Sequence, residues 1–201
     1  MPDDLDTFLR SSRSIRRLKP DTVSSVVIQR ILETAICAPS AHNLQPWRFV
    51  VLTSLETKVN LAISLTGKFQ KDMIADGVSE VEIQALVGQT IRRAKEAPVN
   101  IVLCREKTKI KHQPDSLRQQ LEVLMAVQSV AVAGLKLLLA AKAEGLGGTW
   151  ICWPLFAPDE TCRTLQLMSD WEPQGMVFLG YPDENPEKPT RISVQEVTRF
   201  L

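Results

Sequence analysis

Histidine is nearly absent from this chain: His42 and His112 are the only two in 201 residues. A zinc site needs clustered ligands, and two separated imidazoles among scattered thiols do not supply them, so no metal centre is expected. Cysteine is sparse as well. Cys37, Cys104, Cys152 and Cys162 form no C-x-x-C pair, and a chain of this length does not need disulfide staples. Free thiols in a reducing cytoplasm are the expectation. Net charge is also missing. Lys+Arg number 24 and Asp+Glu 23, a formal +1. No global field attracts nucleic acid or an anionic membrane, so any anion site must be built locally. The first ten residues carry Asp3, Asp4 and Asp6 and no apolar core, so a signal peptide is not expected. There is no internal repeat, no low-complexity linker and no G-x-G-x-x-G following a strand, which argues against a Rossmann dinucleotide site.

Apolar residues, by contrast, are plentiful. At 44% of the chain they suffice for one core, and the length points to a single domain over residues 1–201. One run, Val123 to Ala141, approaches the ~20 residues that cross a bilayer. Gln128, Ser129 and Lys136 interrupt it and alanine dominates it, so a helix buried among other helices is expected, with no membrane partner.

Periodicity and punctuation predict short helices over 3–12 and from about Ser24 to Pro39, where Val23, Val27, Ile31, Leu32, Ala35 and Ile36 form an apolar stripe. Ala38–Pro46 reads as a loop and Trp47–Thr53 as a strand. Helices are expected over 54–65, with Ser54 as N-cap, and over 79–96, with Ser79 and Glu82 in capping-box spacing; 67–77 is polar and unpatterned. Strands follow at 99–104, 148–152 and 174–180. The longest helix runs from Leu117 to Glu144 and stops at Gly145; another covers 159–168. Arg105–Ser116 reads as a loop or lid, and Ser193–Phe200 as a last turn or two. Strands do not alternate regularly with single helices, so the class is α+β.

Four segments carry candidate chemistry. Arg13-Ser14-Ile15-Arg16-Arg17 offers guanidinium forks and a hydroxyl suited to a phosphate; its bland alternative is a solvated face of Arg10, Arg13 and Arg17. Ala38-Pro39-Ser40-Ala41-His42-Asn43-Leu44-Gln45-Pro46-Trp47 combines small residues, amides and two prolines. A flat heterocycle could approach its backbone and be read at its edge; its bland alternative is a connecting loop with an Asx-turn at Asn43. In Gly145-Leu146-Gly147-Gly148, Gly145 suits a left-handed C-cap, while Gly147 and Gly148 permit close approach of a neighbour or a ligand. Trp150 and Trp153 read as core. Arg191 matters only if the fold brings it beside Arg13. A cysteine nucleophile at Cys37 with His42 as base is disfavoured, because no acidic orienter stands nearby.

Taken in order, these motifs resemble the nitroreductase family of FMN enzymes. The chain shows R-S-x-R, then A-P-S-x-x-N-x-Q-P-W, a helix ending in A-P before a strand, a long helix ending in G-L-G, and a basic residue near the C-terminus. The runs Met125–Ala133 and Gly145–Phe156 are similar to a branch that includes the reductase-like C-terminal domain of the deazaflavin-coenzyme biosynthesis protein. The resemblance implies a central, mostly antiparallel sheet flanked by helices in an intertwined homodimer. It implies FMN as cofactor, with Arg13, Ser14, Arg16 and Arg191 at the phosphate. Pro39, Ser40, Ala41 and Asn43 would lie along the ring and ribityl chain from the partner subunit. Arg93 would lie near the flavin N1–O2 edge, and the backbone of Ile151, Cys152 and Trp153 near N5. NADH or NADPH would deliver hydride, and a nitroaromatic, quinone or deazaflavin precursor would accept it in a ping-pong scheme. No side chain is implied as acid, base or nucleophile. Ser12 stands where the family often has a second arginine, and Leu18 where it often has an aromatic. A non-catalytic flavin-binding module, or a flavin-cleaving or dehalogenating member of the same fold, are the alternatives.

Overall fold

A computed structural model describes residues 2–201. Met1 and the side chains of Pro2, Asp3 and Asp4 lie outside the described residues, so the acids at positions 3 and 4 are not placed. In chain order the elements are α1 (Pro2–Arg10), α2 (Ser25–Ala35), a 3-10 turn (Ala41–Asn43), β1 (Trp47–Leu52), α3 (Leu55–Ala75), α4 (Glu80–Glu96), β2 (Val99–Glu106), α5 (Ser116–Ala143), β3 (Gly147–Ile151), α6 (Trp153–Phe156), α7 (Pro158–Leu165), β4 (Trp171–Gly180) and α8 (Val194–Val197).

The strands form one sheet in the order β1-β2-β4-β3, and every pairing is antiparallel. Side chains alternate across a strand, and β2 shows what this does to the layers. Ile101 and Leu103 join Ile31, Val130 and Leu137 in a core under α2 and α5. Val102 and Cys104 join Leu61, Leu65 and Ala94 in a second core under α3, α4 and α7. Both faces of the central strands are covered, so the sequence there reads as a continuous apolar run. The α+β class expected from the sequence is the one found.

Helix starts follow the capping signals. The side chains of Ser24, Ser54, Ser79 and Asp115 each accept a backbone N–H three residues on. Ser193 and Glu196 complete a reciprocal box at α8. The end of α5 is a Schellman turn: Gly145 sits at φ 77°, Leu146 N–H donates to Ala141 O, and Gly145 N–H to Lys142 O.

Several elements differ from expectation: α6 has no predicted counterpart, α7 stops at Leu165 rather than Met168, β2 runs on through Arg105 and Glu106 into the predicted loop, and two further differences have a clear cause. The segment 67–77 is not irregular: α3 continues through Gly67 to Ala75. Gly67 has open space around it, and the turn beyond carries a Lys68–Asp72 ion pair at i,i+4 spacing, which supports a helix whose outer face needs no apolar stripe. Strand β4 begins at Trp171, three residues before the predicted start, although Pro173 lies within it. The ladder has an irregularity opposite, between Leu103 and Cys104, where a proline's missing donor is tolerated.

Among the described residues α5 alone is long and apolar enough to cross a membrane by length and composition. Its inner face is core: Val130, Ala133 and Leu137 are fully buried. Its outer face is not covered by this chain, since Leu117, Leu121, Leu124, Val132 and Leu135 are exposed.

Candidate functional site

The R-S-x-R segment is held as an extended strip beside the sheet. Ile15 N–H donates to Gly148 O (2.9 Å), Lys19 N–H to Tyr181 O (2.8 Å), and Asp183 N–H to Arg17 O (3.0 Å). Gly147 makes the approach possible: a Cβ there would lie 2.7 Å from Ile15. The tolerance noted at Gly147 and Gly148 therefore serves the protein's own packing, with Leu179 and Phe178 crowding Gly148 in the same way. With Ile15 turned onto the sheet, its neighbours Ser14 and Arg16 face solvent.

The 182–191 segment returns beside this strip. The Glu184 carboxylate accepts the backbone N–H groups of Arg16 (2.5 Å) and Arg17 (3.1 Å), and it also pairs with the Arg17 guanidinium at 3.3 Å. The backbone donor of Arg16, first among these contacts, holds the Glu184 carboxyl below the usual carboxylate range. Arg17, which could have substituted for a missing arginine at a phosphate, is thus occupied.

Between the two segments and the end of α5 lies a cavity of about 630 Å³. Arg13, Ser14, Arg16, Lys142 and Arg191 line it, as do the carboxylates of Glu184 and Glu187, with Ile15, Leu138 and Leu146 supplying an apolar wall and Gly147 and Gly148 its floor. Among the described residues none of its four cations lies within ion-pair distance of a carboxylate, whereas Arg17, Arg30, Arg48 and Arg105 all do. Arg13 Nη1 donates to Arg10 O (2.8 Å) and Ser12 O (2.7 Å), leaving donors of its five-membered set unengaged by those two bonds.

The Ala38–Pro46 loop is rigid in an unusual way. His42, Asn43 and Gln45 all have positive φ, at 53°, 55° and 49°. Non-glycine residues rarely adopt this region, and a cluster of them points to function. The loop is fastened by Ser40 Oγ, which accepts Gln45 N–H (3.0 Å), and by Ala41 N–H, which donates to Ser129 Oγ on α5 (3.3 Å). Lys136 Nζ donates to Cys37 O at 2.6 Å. An Asx-turn at Asn43 is not what organises it: the Asn43 side chain meets the Gln45 amide at 3.4 Å, and the structural hydroxyl is Ser40's. Pro39 and Asn43 are exposed. The adjoining segment 107–115 is tied to α5 as well, because buried Glu122 accepts from Gln113 Nε2 (2.8 Å) and from Lys111 N–H (3.4 Å). His42 Nε2 lies 3.8 Å from the same carboxylate.

The remaining candidates lie elsewhere. Arg93 is half-buried in the last turn of α4. Ile151 ends β3, exposed Cys152 follows, and Trp153 opens α6 with its ring edge-on to Phe178 at 5.6 Å. Trp150 and Trp153 pack against the two cores, as read from the sequence. One chain therefore gathers Arg13, Ser14, Arg16 and Arg191 into one cavity, and none of Pro39, Ser40, Ala41, Asn43, Arg93, Ile151, Cys152 or Trp153 lines it. Lys142 was not singled out by sequence. Its signal is weak: a last-turn cation just before G-L-G reads as an ordinary complement to the helix dipole.

Among the thiols, burial pushes Cys104 up to about 12, so it is inert at neutral pH. Among the described residues no group of three or more potential ligands could hold a metal ion.

Comparison with known proteins adds descent to this geometry. The profile of the nitroreductase family matches residues 9–181, most of the chain. The chain belongs to the nitroreductase family. As a member it is an enzyme, an oxidoreductase. It is 29% identical over 185 residues to a putative NADH dehydrogenase/NAD(P)H nitroreductase of Methanothermobacter thermautotrophicus, covering 91% of this chain and 80% of that one. It is 28% identical over 198 residues to a 5,6-dimethylbenzimidazole synthase of Rhodospirillum rubrum, covering 90% and 83%. Among solved structures, a BluB-like flavoprotein from Clostridium difficile 630 superposes with a TM-score of 0.81 at 23% identity, over 98% of both chains. At that identity the superposition speaks for the fold alone.

Proposed function

We propose that this nitroreductase-family chain is an FMN-dependent oxidoreductase working as a homodimer in the cytoplasm. The observation that carries the reading is the cavity that Arg13, Arg16, Lys142 and Arg191 line together with Glu184 and Glu187. Glu184 is committed to Arg17 and to the strip's backbone, and among the described residues none of the four cationic side chains is ion-paired. Like charges gathered this way repel one another unless an anion joins them, and a phosphate monoester matches both their charge and their donor geometry. Arg13, Ser14, Arg16 and Arg191 would hold that phosphate. Strand β3 starts at the cavity floor and runs from Gly148 to Ile151, roughly 10 Å at the usual rise per residue. That length, comparable to a ribityl chain and ring, supports the reading that the backbone of Ile151, Cys152 and Trp153 would meet the ring of an attached flavin.

The strained Ala38–Pro46 loop does not line its own chain's cavity. In a two-fold dimer, Pro39, Ser40, Ala41 and Asn43 of one subunit would close on the flavin of the other. The exposed leucines of α5 are the apolar face such a dimer would bury. Arg93 would place a cation near the ring edge that becomes anionic on reduction. Bound FMN would supply the redox chemistry, taking hydride at N5 from NADH or NADPH and passing it to an organic acceptor such as a nitroaromatic, quinone or deazaflavin precursor, in two half-reactions. The name of the archaeal relative favours the nicotinamide donor. The protein's part is to hold the phosphate, present a rigid loop to the ring and exclude water; no side chain acts as acid or base.

The test is spectroscopic. The purified protein should be yellow, release FMN on heating, and bleach rapidly with NADH or NADPH under anaerobic stopped flow. A protein that stays colourless in excess FMN would remove this reading. A coloured one that bleaches no faster than free FMN would be a flavin-binding module instead. A second reading, a member that cleaves its flavin, is favoured by one relative: 5,6-dimethylbenzimidazole, the product that its name states, carries the same dimethylbenzene ring as a flavin. Product analysis after aerobic turnover with excess reduced flavin separates the two, since only cleavage would deplete flavin and yield that benzimidazole.

A further inference from the structure

Lys142 stands in the last turn of α5 and lines the cation-rich cavity. Its ammonium has three donors. One goes to Phe8 O at the end of α1 and one to Ser11 Oγ at 2.6 Å; the Nζ also sits 4.6 Å over the Phe8 ring. The third donor has no acceptor among the described residues. Desolvation, and then the nearby charge of Arg13, hold Lys142 below the ordinary lysine range. Two cations thus line one cavity, and among the described residues neither is ion-paired with a carboxylate. A cation placed only to complement the α5 dipole would gain nothing from lying against a second cation. A cation that helps hold a dianion would gain from it.

We infer that Lys142 is a ligand-binding residue of this cavity, a fourth cation that reads the phosphate of a phosphorylated flavin while fastening α1 to α5. This rests on the proposed FMN site. Its place in the fold gives it two partners at once. The strip Ser11–Arg16 connects α1 to the sheet, so the ammonium that grips Phe8 O and Ser11 Oγ fixes the segment from which Arg13 and Ser14 project. A phosphate that engages the third donor draws this arrangement tighter; a flavin lacking the phosphate leaves it unchanged.

The experiment compares FMN with riboflavin, which has the ring and ribityl chain but no phosphate. Binding of each to the apo-dimer is measured by quenching of flavin fluorescence, for the wild type, Lys142→Met and Lys142→Arg. The expected result is roughly tenfold weaker FMN binding in Lys142→Met with riboflavin binding unchanged, the scale of one charge-assisted hydrogen bond. Lys142→Arg should recover most of the FMN affinity. If Lys142→Met weakens both flavins by the same factor, the residue only holds the fold, and the inference is overturned; unchanged binding of both overturns it equally. If the wild type prefers FMN over riboflavin while Lys142→Met keeps that preference, only the role of Lys142 falls. If the wild type shows no preference, the phosphate reading of the whole cavity falls with it.

Discussion

Arg13 and Arg191 lie 178 positions apart in the sequence yet line one cavity. Their roles can be separated from the fold because both reach solvent-filled space, not core. Arg13→Ala and Arg191→Ala should each weaken FMN retention by about 10- to 100-fold, the range for one hydrogen bond to a charged group, with little change in thermal stability. Equilibrium dialysis against FMN checks this, and unchanged retention in both variants would refute the phosphate assignment. The residue scale also shows what could be read in advance. The type of each basic residue was legible in R-S-x-R, because a guanidinium suits a phosphate wherever it is placed. The division of labour was not. Arg16 reaches the cavity while Arg17 is taken by Glu184, and this depends on which side of an extended strip each residue faces. Lys142 was hidden because an apolar helix with a terminal lysine is common. The left-handed backbone of His42, Asn43 and Gln45 was hidden because two of the three, histidine and glutamine, are not glycine substitutes by composition.

At the scale of elements, α5 meets the sheet through a glycine whose purpose the sequence did not reveal. A Cβ on Gly134 would lie 2.1 Å from the Trp150 ring, and one on Gly175 would lie 2.7 Å from it. The indole of β3 is sandwiched between helix and strand, and it fits only because both neighbours lack a side chain. Gly134→Ala gains helix propensity, but the overlap cannot relax without moving α5. A net loss of roughly 2–3 kcal/mol is expected, seen as a Tm lower by about 5–10 °C; an unchanged or raised Tm in calorimetry would show that α5 can shift freely. Elements with strong signals were legible: β2 as a continuous apolar run between Pro98 and the charged segment, and α5 from its apolar face and its Gly145 stop. The second half of α3 was not, since its outer turns carry Lys68 and Asp72 rather than a stripe. Order among the strands was not legible either, because the sequence shows which face each strand buries but not its neighbour.

At the scale of the whole molecule, the exposed face of α5 and a loop that does not line its own chain's cavity are what support the proposal of a site shared by a pair. Leu124→Asp places a charge on that face at a position half exposed in the single chain (51%). It should shift the sedimentation mass from twice 22.5 kDa toward once, and flavin should be lost with it. A monomer that keeps its flavin would contradict the shared site. A second global link is Glu184, which ties the 182–191 segment to the R-S-x-R strip. Its folded carboxyl titrates below the ordinary value. The stability it contributes is therefore complete above the unfolded pKa of about 4.3 and is lost as pH falls through the lower folded value. Denaturation of wild type and Glu184→Gln should differ by a constant amount from about pH 5 to 7, and the gap should close below about pH 4; a gap that persists unchanged into strong acid would mean the tie is not ionic. The same link fixes an order of events during synthesis. All four strands exist once Gly180 has been made, but the far wall of the cavity arrives only with Pro182 to Arg191. A growing polypeptide can thus finish its sheet while the cavity still lacks Arg191, one of its four cations. Under the proposed phosphate site, a chain cut short after its final strand should keep its four strands yet hold a phosphorylated flavin more weakly.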